Sequence, residues 1–188
     1  MNLYHYSREP LGKLENRDQL EYMASGIGKP CGFWLSVDDV WAKFLKSQGR
    51  LAALLYLGKR RYDVTLKPKA NVLHISTAAE LDAFTAAFRL PEGAEPLYVE
   101  NLLWPSEYGV ERDDAVWIDW PRVARAYAGL IISPFIEERY DYAPTFWYRG
   151  WDVASACIWD VSAIQSAKLV GEETRHEAVS RNEQRIFA

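Results

Sequence analysis

Two cysteines in 188 residues, Cys31 and Cys157, are too few for a disulfide framework or a zinc site. The opening Met1-Asn2-Leu3 has neither the basic flank nor the apolar run of a secretory signal. No apolar stretch reaches the roughly 20 residues that span a bilayer. A Walker loop, a GxGxxG turn, an HExxH helix and internal repeats are all missing. These absences lead us to expect a protein of a reducing compartment, cytoplasmic and without a membrane partner. Charge of one sign is also missing: 22 Lys and Arg stand against 26 Asp and Glu, a net charge of -4, unlike a strongly basic nucleic-acid binder. The one basic cluster, Lys59-Arg60-Arg61 with Lys67 and Lys69 behind it, reads as a solvated turn, with a phosphate contact as the alternative.

What the chain does have is apolar and aromatic mass. Hydrophobic residues make up 49%, and there are eight Trp and eleven Tyr, which suit a thick core and an aromatic-lined cleft. The length suits one domain with a small extension. We expect an α+β domain over 1–164 and a charged C-terminal helix or tail over 165–188.

Leu3-Tyr4-His5-Tyr6-Ser7 alternates as a half-buried strand and carries one of only three histidines. A short helix is expected near Arg17 to Ala24, with Gly26, Gly28 and Pro30 breaking the chain after it. Gly32-Phe33-Trp34-Leu35-Ser36 repeats the first design. Two such strands side by side are expected to present His5 and Ser36 together at one cleft. Ser36 has a competing structural reading as the cap of a helix whose Asp39 completes a capping box, with Val40, Trp41, Phe44 and Leu45 on its inner face. Tyr62 to Leu66 and Asn71 to Ile75 read as strands adjoining each other, and His74 in the second reads as a packed or edge residue. Thr77 and Glu80 form a second capping box, ahead of Leu81, Phe84 and Phe88. Pro96 to Asp114 lacks a period and reads as a long loop. Asp119-Trp120-Pro121 starts a helix with Val123, Ala126 and Tyr127 inward and Gly129 as its stop. Leu130-Ile131-Ile132 is a central strand, and Ser155 to Val161 another. Phe146 to Asp152 is too aromatic for a loop that packs on nothing.

Nucleophilic chemistry has weak support. A Cys157–His5 pair would draw its thiol from an apolar strand, where cysteine is ordinary packing. A Ser36–His5–Asp152 triad lacks a nucleophile elbow.

The ordered pair Leu3-Tyr4-His5-Tyr6-Ser7 and Gly32-Phe33-Trp34-Leu35-Ser36 resembles the opening of ADP-ribosyltransferase-type domains. The resemblance covers about residues 3 to 45. A wider likeness, to small bacterial and phage proteins, takes in the HYS opening and Trp151-Asp152-x-x-Ser155-x-Cys157-Ile158-Trp159. The resemblance implies split mixed β-sheets flanked by helices and NAD as cofactor. It also implies transfer of ADP-ribose to a macromolecule, protein rather than nucleic acid, as in a toxin or a phage-encoded modifier of host proteins. His5 would contact the ribose or amide of NAD and Ser7 would flank it. Trp34 and Ser36 would line the nicotinamide side, and Tyr6 or Tyr148 would stack on the ring. The family's third motif, Glu-x-Glu or Gln-x-Glu, is missing; Asp152 is the nearest carboxylate and takes the catalytic place with His5. The alternative is a non-catalytic binding protein or inhibitor of a host complex on the same fold. A 2'-phosphotransferase acting on RNA ranks last, because the basic residues it needs are few.

Overall fold

The structure is a computed structural model that describes residues 1–19, 29–91 and 116–172. Most of the expected helix at Arg17 to Ala24, the loop at Pro96 to Asp114 and the tail beyond 172 lie outside the described residues.

Seven strands form one mixed sheet flanked by helices, so the chain is α+β. They are β1 (Leu3–Ser7), β2 (Phe33–Val37), β3 (Arg60–Leu66), β4 (Val72–Ile75), β5 (Gly129–Ile132), β6 (Ser155–Ile158) and β7 (Ile164–Glu172), in the order β4-β5-β6-β2-β1-β3-β7. Only β4 and β5 run parallel, Leu73 opposite Leu130; every other pairing is antiparallel.

Period-two alternation sorts the side chains onto two faces. One face carries Leu130, Ile132 and Cys157 and packs against the Trp120, Trp147, Trp151 and Trp159 rings, with Tyr148 among them. The helices α3 (Ala78–Phe88) and α4 (Trp120–Ala126) supply Leu81, Phe84 and Val123 to it. The 3-10 segment Ala143–Gly150 drives Phe146, Trp147 and Tyr148 inward, which accounts for its aromatic sequence. The other face carries Leu3, Leu35, Val37, Tyr62, Val64 and Ala156, roofed by smaller pieces including Leu11, Val40 and Ile164.

Local chemistry sets the helix starts. Thr77 Oγ1 accepts from the Glu80 N–H, and the Glu80 carboxylate returns to the Thr77 N–H, a complete capping box. The Asp119 carboxylate accepts from the Arg122 N–H, and Pro121 occupies the first turn of α4. Within α4 the buried residues are Trp120 and Val123, whereas Ala126 is exposed.

Three expectations change. Strands β3 and β4 are not neighbours: β4 crosses to the far edge and pairs with β5. Residues 164–172 are the edge strand β7, paired along β3 from Leu66↔Ile164 to Arg60↔Glu172, so the sheet extends past the expected domain end at 164. Asp39 makes no capping box; α1 (Val40–Ser47) begins after it, and its carboxylate is taken by Tyr6 and Arg61.

The apolar run after α1 forms a short helix, α2 (Arg50–Ala52), and a π-helical turn, Ala53–Leu57. Gly58 ends it at φ +77, where a Cβ would meet the Ser7 carbonyl at 2.5 Å; both the conformation and the close approach require glycine.

Candidate functional site

Strands β1 and β2 pair only at Leu3↔Val37 and Tyr4↔Ser36. Beyond Tyr4, β1 stays with β3 as far as Ser7↔Arg60, while β2 runs with β6 to Phe33↔Ile158. The sheet therefore opens into a fork between β1 and β2. It remains one sheet of seven strands.

His5 stands in the fork. Its Nδ1 is 2.9 Å from the Trp34 carbonyl oxygen. A carbonyl only accepts, so Nδ1 carries the proton and Nε2 is left as an acceptor. The ring packs against Phe33 at 4.2 Å and stands 6.4 Å from Tyr62. Burial holds the imidazole below its usual pKa, against the opposing pull of the Trp34 hydrogen bond.

A cleft of about 200 Å³ borders the fork. Tyr4, Tyr6, Trp34, Trp41 and Trp151 give it aromatic walls, and Lys29 and Asp152 stand at its lining. Trp34 meets the Trp151 ring edge-on at 5.0 Å, and Lys29 Nζ lies 5.2 Å from the Trp34 ring centroid. The same ammonium is 3.7 Å from Asp152 Oδ2, a loose pair with the carboxylate about a third exposed (36%). On the β1 side, the Tyr6 hydroxyl donates to Asp39 at 2.9 Å, and Arg61 reaches Asp39 at 3.2 Å while covering the Tyr4 ring. Burial, and then the hydrogen bond to Asp39, push the Tyr6 hydroxyl up to about 12.

A second, more polar cleft of about 260 Å³ also borders His5, with Phe33, Gly32, Lys13, Glu15 and Arg17 in its lining. His5 is shared by the two clefts.

Tyr6, Trp34, Ser36 and Asp152 thus come together at the aromatic cleft with His5 at its margin. His5 and Ser36 are not side by side, however. Ser36 lies opposite Tyr4, and strand alternation turns the His5 ring to the face of Phe33 and Tyr62. The Ser36 hydroxyl is already engaged, donating to the Asp38 carbonyl at 2.8 Å and accepting from the Trp41 N–H at 3.1 Å. It caps the first turn of α1 from the end of a strand. Ser7 lines neither cleft; its hydroxyl closes a local turn onto the Glu9 carbonyl at 2.7 Å. Tyr148 is fully buried, stacked on Phe135 and Trp151, with its oxygen accepting from the Ile136 N–H. No face of its ring is open to a ligand.

Lys29, Trp41 and Trp151 also belong to the cleft, and no site role for them is evident in the sequence. Trp41 looked like the inner face of a helix, and Lys29 stood in a glycine- and proline-broken stretch without pattern. Cys157 is buried against the Pro30 carbonyl, and burial pushes its thiol up, the opposite of an activated nucleophile. Among the described residues, no group of three or more His, Cys, Asp or Glu is placed to hold a metal ion.

The chain matches no family model, no curated protein and no solved structure.

Proposed function

We propose that the chain is an NAD-dependent mono-ADP-ribosyltransferase acting on a macromolecular target, protein in preference to nucleic acid. The observation that carries this reading is the fork at His5, which opens onto an aromatic cleft with Asp152 in its lining. The two motifs of the resemblance adjoin here, β1 with His5 and β2 with Trp34 and Ser36, and Asp152, the stand-in for the missing third motif, lies ahead of β6, the strand paired to β2.

The residues present fit the nicotinamide-ribose half of the cofactor. Trp34, Tyr6 and Trp41 offer ring surface for a flat heterocycle. From the margin of the cleft, His5 Nε2 would be the acceptor open to a ribose hydroxyl. NAD would supply a labile nicotinamide–C1' bond, whose cleavage would let nicotinamide leave with the electron pair while a target lone pair closed on C1' and its proton was released. Positive charge builds on the sugar during that exchange, and the Asp152 carboxylate stabilises it. The aromatic walls hold the ring and exclude water while the target approaches. In this reading Ser36 and Ser7 are structural, and Tyr148 supports Trp151 from behind.

One observation favours the second reading, a binding module that does not transfer. Lys29 lies 3.7 Å from Asp152 and partly offsets the charge that catalysis needs.

Incubation with labelled NAD and cell lysate separates the two. Transferase activity predicts a labelled macromolecule, lost in Asp152→Ala. NAD binding with no label and no nicotinamide release would favour the binding module. No NAD binding at all would overturn the transferase reading and leave a non-catalytic binding protein or inhibitor of a host complex.

A further inference from the structure

The stretch from Val40 to Tyr62 contains Lys43, Lys46, Arg50, Lys59, Arg60 and Arg61 and no carboxylate, in a chain whose net charge is -4. Its centre is the π-helical turn at Ala53–Leu57, which leaves large apolar side chains outside the core. Leu51 is 69% exposed, Leu55 42% and Tyr56 66%. Leu51 and Leu55 are four residues apart, which places them on one side of the turn, and Tyr56 follows directly. None of the three lines either of the two clefts described above, and their exposure leaves them open to solvent. Among the described residues, Lys43, Lys46 and Lys59 are exposed and make no ion pair, whereas Arg61 is committed to Asp39.

We propose that this turn is a peripheral docking surface for an anionic lipid membrane. Projecting leucines and a tyrosine enter the acyl boundary, and the surrounding lysines meet anionic headgroups. Charge complementarity names the occupant: exposed lysines flank the apolar tip in sequence, Lys46 before it and Lys59 after it, and the tip is surrounded by a fluid apolar phase as soon as it inserts. Nucleic acid would use the lysines but give the leucines nothing to bury against. This inference is independent of the NAD site. Its consequence for that site is placement, because α1 packs on the π-helical turn and carries Trp41 to the aromatic cleft.

Co-sedimentation of the full chain with vesicles tests it. Vesicles of phosphatidylcholine with phosphatidylserine are predicted to bind it, and vesicles of phosphatidylcholine alone are not. A Leu51→Gln/Leu55→Gln variant is predicted to lose about tenfold or more in partitioning. A Lys43→Gln/Lys46→Gln/Lys59→Gln variant is predicted to lose about a hundredfold at low salt. All these positions are exposed, and circular dichroism of each variant checks that it folds. Failure of the wild type to bind the anionic vesicles would overturn the proposal. So would binding that both variants retain, or a preference for a single-stranded oligonucleotide that the leucine variant leaves intact.

Discussion

His5 bridges the fork in the sheet, its Nδ1 2.9 Å from the carbonyl oxygen of Trp34. The side chain replaces a ladder bond that the diverging strands no longer make. His5→Ala leaves that carbonyl without its donor in a half-buried place. The expected cost is about 1–3 kcal/mol, read as a lower urea midpoint at an unchanged slope.

The same histidine gives stability a pH dependence of known sign. Burial lowers its folded pKa below the ordinary 6.5, so below that value the unfolded chain takes up a proton that the folded chain resists. The contribution is present above the unfolded pKa and is lost as pH falls toward the folded one. Urea midpoints taken from about pH 7.5 down to about pH 5 should fall more steeply for wild type than for His5→Gln. Parallel curves would contradict a buried, neutral His5.

Asp152 is bound only loosely, with Lys29 Nζ at 3.7 Å. Exposed pairs of this kind add little to stability. Asp152→Asn should therefore keep the thermal midpoint of wild type. Under the transferase reading it should slow nicotinamide release by about 10²–10³, with NAD affinity changed much less. An equal loss of binding and turnover would move Asp152 from chemistry to recognition.

Thr85 joins the helical layer to the aromatic core. Its hydroxyl donates to the Leu81 carbonyl at 2.8 Å and accepts from Trp147 Nε1 at 2.9 Å. Thr85→Ala strands a buried indole N–H, at an expected cost of about 1–3 kcal/mol. Thr85→Ser keeps the hydroxyl and should recover part of that loss. Chemical denaturation of the two variants checks the ordering.

Much of this fold is legible wherever the cause is local. Thr77 with Glu80, and Asp119 with Pro121, announce helices through caps formed within one turn. Gly129–Ile132 announces a central strand through an unbroken apolar run. The strand order is not legible, because pairing partners are distant in sequence: β4 bypasses β3 and joins β5. Residues 165–172 read as part of a charged tail because the charges after them dominate the composition, yet their backbone pairs along β3. At the site, the strand pattern in β1 and β2 shows that the two strands adjoin, and Tyr6 and Trp34 both line the cleft between them. It could not show the register, which sets Ser36 opposite Tyr4 and so puts His5 on the other face, nor where the two strands part. Tyr148 illustrates the same limit, since an aromatic residue suited to stacking on a ligand is stacked instead between Phe135 and Trp151.

The most direct test of the proposed NAD site is calorimetric titration of NAD into the wild-type chain and into Trp34→Leu. The account predicts saturable binding by the wild type and a loss of about tenfold or more when the Trp34 ring is removed. Absence of binding by the folded wild type, or equal binding by both proteins, would contradict it.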